Sequence, residues 1–271
     1  RAAAAGAGVS QNGLSYAKGL ANASIDPVAA LDYRTAGLPH VALLQRLARE
    51  KEAGVKEVSD ALAEIASFAL ARNRVMRCRV SAKPEACDPA VTQMEQFIDA
   101  LPMKGTDPAA DELTLSQSLA SFETSPSKTF VSTPTQTNYC AASYTTVPYS
   151  HPDSAPLFLL GQAMSTSFLH REIREKGGAY GGGASAAPVG GVFAFSSYRD
   201  PNTTATVETF QKAAEWAATE GNLTQEILEE AWLKAFKAID APLAPQSRGA
   251  SLFTNLMDDE SRQIFRDGLL D

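Results

Sequence analysis

Seven glycines crowd the fifteen positions from 177 to 191 (GGAYGGGASAAPVGG), and this stretch limits the fold more than any other. A run with so few side chains buries little apolar surface of its own, and glycine loses more backbone freedom on ordering than any other residue. It orders as a strand where another backbone packs closely against it. Its flanks are regular. Upstream, Leu157, Leu160, Met164, Phe168 and Ile173 recur at helical spacing over about 155–176, behind the start signal Asp153-Ser154-Ala155-Pro156. Gly177-Gly178 stops that helix, and 191–198 (GVFAFSSY) then alternates as a half-buried strand.

The same periodicities organise the rest. Helices are predicted over 40–53, on Val41, Leu44, Leu47 and Ala48, and over 58–71, on Val58, Leu62, Ile65 and Leu70, ended by Asn73. The run 74–82 (RVMRCRVSA) alternates as a strand with Met76, Cys78 and Val80 inward, which makes Cys78 a core residue. Asp88-Pro89 opens the next helix, as cap and first helical position. Pro102, Gly105, Pro108 and Pro126 mark 102–128 as a linker. Strands follow at 128–133 (KTFVST) and 137–147 (TNYCAASYTTV). After Asp200-Pro201-Asn202, read as a turn and cap, come helices on Val207, Phe210 and Ala214 and on Leu228, Ala231, Ala235 and Ile239, with 249–267 helical again. Residues 1–40 give a weak signal. Adjacent strands with short connections predict an α+β fold, an antiparallel or mixed sheet with helices packed on one face.

Composition excludes several functions. The 271 residues are ample for a core, and net charge is −7 with no dense basic run, which disfavours nucleic acid as a partner. No apolar stretch reaches about 18 residues, so no membrane span is predicted. Three scattered cysteines (Cys78, Cys87, Cys140) suggest a reducing compartment and no disulfide framework. The three histidines, His40, His151 and His170, fall in no H-x-x-E-H, H-E-x-x-H or Cys/His cluster, so no metal site is expected within this chain. The opening Arg-Ala-Ala-Ala-Ala, without Met, reads as part of something longer.

The chemistry concentrates in 170–202. Phosphate-binding glycines precede a helix, where free N–H groups and the positive dipole end face the anion. These follow one, and match neither G-x-x-x-x-G-K-[ST] nor G-x-G-x-x-G. Arg174 ends the helix and Tyr180 opens the strand, so a tight turn brings a fixed cation and a neutral O–H to one point. Both can donate to an oxygen that gains charge in a tetrahedral intermediate. Gly181, Gly182 and Gly183 begin a run of small residues against which a peptide backbone can lie. A helix stop followed by a closely packed strand explains the same glycines structurally. His170 is one turn from Arg174 and is weighed as a surface residue; Lys176 is read as solvated or bound to the helix end. Cys87 and Cys140 lack an activating neighbour, Ser185 lies in no G-x-S-x-G elbow, and Trp216 and Trp232 read as packing.

The segment REIREKGGAYGGGA resembles the R-x-K-G-G-A-Y-G motif in the C-terminal half of pitrilysin/insulinase-type zinc peptidases. It is most similar to the presequence-protease (falcilysin-like) branch; other branches place one more residue between Arg and Tyr. LAEIASFALARNRVMRCRVSA, SSYRDPN, DAPLAPQSRGASLF and DESRQIFRDGLL extend the resemblance over most of the chain. It implies a clamshell of two halves, each of two α+β domains. Residues 1–104 would be the C-terminal part of the third domain, 105–127 a linker, and 128–271 the fourth domain, cut short at its C-terminus. Zinc and the general-base Glu would belong to the missing N-terminal half, the partner within the same polypeptide. Arg174 and Tyr180 would act on peptide substrates across the chamber. The branch is organellar, mitochondrial or plastid-type, and degrades cleaved presequences; this fragment alone is expected to be inactive. The alternative is a non-catalytic scaffold of the same fold, as in peptidase-like core subunits of respiratory complexes.

Overall fold

The computed structural model describes residues 8–9, 11–73, 76–103, 124–133 and 135–270. Helices α1 (Gly13–Ala23), α2 (Pro27–Ala36), α3 (Leu38–Glu50), α4 (Glu52–Ala69) and α5 (Pro84–Asp99) come first. Strand β1 (Ala141–Thr145) leads to α6 (Ser154–Met164), which continues directly as a π-helical segment (Ser165–Lys176). Strands β2 (Gly181–Ala187) and β3 (Val192–Tyr198) are followed by α7 (Thr204–Ala218), α8 (Gln225–Ile239), α9 (Ala250–Asn255) and α10 (Asp259–Asp267). The chain divides into two compact units. One comprises the described residues within Arg1–Leu44, Leu119–Ala241 and Glu260–Asp271, the other those within Gln45–Ser118 and Pro242–Asp259.

In the first unit the sheet runs β1-β3-β2, antiparallel throughout. The α+β reading holds. Phe195 pairs with Ala142 on one side and Ala184 on the other. Phe193, Phe195, Ala184 and Cys140 turn one face toward Met164, Phe168, Leu169 and Ile173 of the long helix and toward Phe210 and Ala213 of α7. Phe210 stacks on Phe195 at 5.5 Å, and Phe168 on Trp216 at 5.5 Å, so Trp216 is packing. These are the helices expected on one face. A further helix, α1, comes from the stretch with the weakest signal and packs against β1 and β3. There the Ser143 hydroxyl donates to the Asn22 side chain at 2.6 Å. A smaller cluster joins Ala155, Ala235, Phe265 and Leu269, with Tyr149 stacked on Phe265 at 4.7 Å. Arg266 of α10 ties Asp240 at the end of α8 through two hydrogen bonds (3.1 and 2.9 Å).

In the second unit, Arg46 of α3 bonds Glu50 and, from α4, Glu57, and Arg72 pairs with Asp99 at 2.7 Å. Several expectations change here. Residues 74 and 75 lie outside the described residues, and 76–82 form no strand. Cys78 is exposed, not core. The segment is held by its arginines instead: Arg79 donates to the carbonyls of Gln246 and Arg248, and Arg77 and Arg79 both lie over the Phe253 ring. With no strand beside it among the described residues, its alternation has no sheet to face. Helix α5 starts at Pro84, ahead of the Asp88-Pro89 signal, because Pro84 takes the first helical position and leaves Pro89 inside.

Of the predicted linker, 104–123 lies outside the described residues. In the first unit, 128–133 is irregular, with Phe130 79% exposed. Residues 249–267 split into α9 and α10, since Leu256 adopts a left-handed conformation (φ 55°) that ends α9.

Candidate functional site

The site grows from the change of helix type at Ser165. Ser165 and Thr166 carry hydroxyls that bond carbonyls four residues back, Gly161 at 2.7 Å and Gln162 at 3.1 Å. Such back-bonding competes with the helix's own N–H ladder and loosens it. The turn widens there and stays wide to Lys176. Its closure is correspondingly wide: the N–H of Gly178 bonds Arg174 O (3.0 Å) and that of Ala179 bonds Ile173 O (3.1 Å). Both spans exceed the standard Schellman closure by one residue. Gly178 supplies the left-handed backbone this needs, at φ 77°.

The tight turn places Arg174 beside Tyr180. The guanidinium carbon sits 5.5 Å from the phenol ring centroid, within cation–π range. Both side chains are exposed, Tyr180 at 64%. Its backbone N–H is fixed by the carbonyls of Tyr198 (3.1 Å) and Arg199 (3.3 Å). Two donors of different chemistry, one permanently charged, thus stand together at the end of the glycine strand.

The three glycines after Tyr180 are not equivalent. Ladder bonds from Ser197 N–H to Cys140 O and from Thr146 N–H to Gly191 O fix which β3 residues face β1. The alternation then directs Gly181, Gly183, Ser185 and Ala187 toward β3, and Gly182, Ala184 and Ala186 outward. A Cβ at Gly182 would fall 2.7 Å from Ile173 Cγ2, and one at Gly183 3.0 Å from Ser165 Oγ. One at Gly181 would meet nothing within 4 Å. Gly182 and Gly183 are therefore explained by close helix packing, while Gly181 borders open space. The outer edge of β2 is not wholly free. The Ser165 hydroxyl accepts from Ala184 N–H (2.8 Å) and lies 2.9 Å from Ala184 O, stoppering the strand at its midpoint.

A second turn, residues 198–202, supports the first. Asp200 has no exposed surface, and its carboxylate accepts from the Asn202 N–H (2.8 Å) and the Thr206 hydroxyl (2.7 Å). Asn138 and Asp200 exchange backbone hydrogen bonds at 2.7 and 2.9 Å. Asn202 Nδ2 donates to Gly177 O at 2.7 Å, which ties this turn to the helix end that presents Arg174. Sequence reasoning gave Asp200-Pro201-Asn202 only a capping role. The signal was the cluster of Asp and Asn in one short turn, but local sequence does not distinguish an exposed cap from a buried brace.

The remaining candidates fall away from this point. His170 Nδ1 lies 3.3 Å from a Glu175 oxygen on the exposed surface. Lys176 bonds Glu172, whose carboxyl it holds below the usual carboxylate range, with Arg171 adding to the effect. Burial pushes the Cys140 thiol up, which lowers its reactivity at neutral pH. Trp232 Nε1 is buried without a partner among the described residues. No three His, Cys, Asp or Glu side chains converge as a metal group among the described residues. The described residues of this chain thus do not fit a zinc centre.

A sequence profile described as the PreP C-terminal domain matches residues 128–270, just over half of the chain. The chain belongs to the PreP C-terminal domain family. Mitochondrial presequence proteases are similar along nearly all of it: 35% identity over 283 residues in Xenopus tropicalis, covering 97% of this chain and 27% of that protein. The Danio rerio protein is also 35% identical over 283 residues, with the same coverage. That of Yarrowia lipolytica is 37% identical over 264 residues, covering 97% and 26%. The chain therefore spans about a quarter of the length of the curated relatives it matches. Arg174, Tyr180, the glycine strand and the Asp200–Asn202 turn all fall within the PreP C-terminal domain match.

Proposed function

We propose that this chain is the substrate-enclosing, non-zinc-binding part of a zinc metalloendopeptidase that degrades unstructured peptides such as cleaved presequences. Arg174 and Tyr180 donate to the carbonyl oxygen of the scissile bond as it becomes an oxyanion. The observation that carries this reading is their meeting, at 5.5 Å, on the exposed end of the glycine strand. Each offers donors to charge developing on oxygen, and preorganised donors act without reorganising as the reaction proceeds. The glycine run, Gly181 foremost, gives the peptide backbone room to approach.

In this reading residues 1–104 are the end of a third domain, 105–127 a linker and 128–271 a fourth domain. The N-terminal half of the same polypeptide holds the zinc, which supplies an activated water when bound. The 271 residues alone have no peptidase activity. The mitochondrial name of the relatives supports an organellar location.

The test is turnover of an unstructured peptide by the complete polypeptide carrying Arg174→Ala or Tyr180→Phe. Removing one such donor typically costs about 10²–10³ in turnover. At least a tenfold fall is expected for each, with unchanged thermal melting. Near-normal cleavage by both variants would sink the proposal.

A further inference from the structure

Four side chains of the first unit, three of them exposed and Tyr198 half-buried, form one continuous ladder. Arg174 lies over Tyr180, Tyr180 meets Tyr198 edge-on at 5.7 Å, and Arg199 lies over Tyr198 at 5.4 Å. Tyr139 tilts against Tyr198 at 5.6 Å and steadies it. Arg171 and Arg266 in this unit are engaged by carboxylates. Arg174 and Arg199 have no carboxylate or hydrogen-bond acceptor among the described residues. Stacking engages the face of a guanidinium and leaves its in-plane N–H fork free, the geometry that takes a carboxylate bidentately.

Arg199 is also held in an unfavourable backbone conformation, φ 49°, where glycine or asparagine is the usual occupant. Its neighbours fix it there. Asp200 is buried and bonded on both backbone groups to Asn138, and Tyr198 is paired in β3. Non-glycine residues kept in that region concentrate at binding and catalytic sites.

We propose that Arg199, backed by Tyr198, is a carboxylate-binding subsite beside the Arg174–Tyr180 pair. Its ligand is a carboxylate of the bound peptide, either the C-terminal group or an Asp or Glu side chain. The inference rests on the reading of peptides as substrates and adds a residue that grips the peptide away from the scissile bond. Arg199 therefore governs affinity, while Arg174 and Tyr180 govern turnover.

The experiment uses the complete polypeptide with its metal chelated, so that binding is read without cleavage. Fluorescence anisotropy follows one labelled unstructured peptide in four forms: acid or amide at the C-terminus, each with a single Glu or with Gln in its place. Arg199→Gln is expected to weaken carboxylate-bearing forms at least fivefold and to leave the form with neither carboxylate unchanged. Loss of the effect on amidation assigns the C-terminal group, and loss on replacing Glu assigns the side chain. Arg199→Gly removes the guanidinium while relieving the backbone, and should bind as weakly as Arg199→Gln with no fall in melting temperature. Equal affinity of Arg199→Gln and the unaltered protein for all four peptides overturns the proposal, as does equal weakening of all four. If Arg174→Ala and Tyr180→Phe cleave normally while Arg199→Gln loses affinity, the oxyanion reading fails and this one stands.

Discussion

Asp200 is a carboxylate without exposed surface, and a buried charge is tolerated only when its oxygens are hydrogen-bonded. The Asn202 amide and the Thr206 hydroxyl meet that need, one from its own turn and one from the first turn of α7. Asp200→Ala should therefore lower stability by roughly 2–4 kcal/mol, as a denaturant melt would report, because charged hydrogen bonds vanish and two donors lose their acceptor. Arg174 and Tyr180 sit on the surface, so their variants should melt normally and differ only in turnover. That contrast separates a brace from a contact. At this scale the sequence was informative about donor chemistry: Arg174 and Tyr180 stood out by type and spacing. It was silent about Arg199 and read Asn202 only as part of a turn and cap, because their significance depends on a backbone angle and on a carbonyl 25 residues away.

Among the elements, the glycine strand and the long helix before it were legible, since a 3.6-residue stripe, a glycine stop and an alternating strand are local patterns. The π-helical widening was not, because serine and threonine occur in helices without loosening them. Nor was the failure of 74–82 to form a strand, since alternation predicts a strand's faces without supplying its neighbour. The glycine strand invites a paired test. Gly182→Ala pushes a methyl into Ile173 and should cost about 1–3 kcal/mol, whereas Gly181→Ala meets open space and should melt within about 0.5 kcal/mol of the parent.

The bond between α8 and α10 has a pH signature. Hydrogen bonds from Arg266 hold the Asp240 carboxyl below its usual range. The folded state thus binds this proton less readily than the unfolded chain does. The stabilisation is present above the ordinary carboxylate range, near pH ~4, and fades as pH falls through the lowered value. The difference in Tm between the parent and Asp240→Asn should be small but measurable near pH ~6, and should vanish on acidification.

For the whole molecule, the α+β class followed from the order of elements, but the division into units did not. Each unit is assembled from separated stretches of chain, and periodicity within a window carries no information about that. The first unit brings α1 onto β1 and β3, on the face that also carries the buried Val192 and Ala194. A fragment beginning at residue 128 lacks that cover. It should melt at a lower temperature than the 271-residue chain and bind a hydrophobic dye that the longer chain excludes.

The Asn22–Ser143 bond joins positions 121 residues apart. At a synthesis rate of about 5–20 residues per second, α1 is made roughly 6–24 s before its partner strand. During that interval the helix can settle on α2 but lacks the sheet it also packs against. Over that interval the side of α1 that meets the sheet is open to chaperone capture, and Arg174 and Tyr180 are made later still.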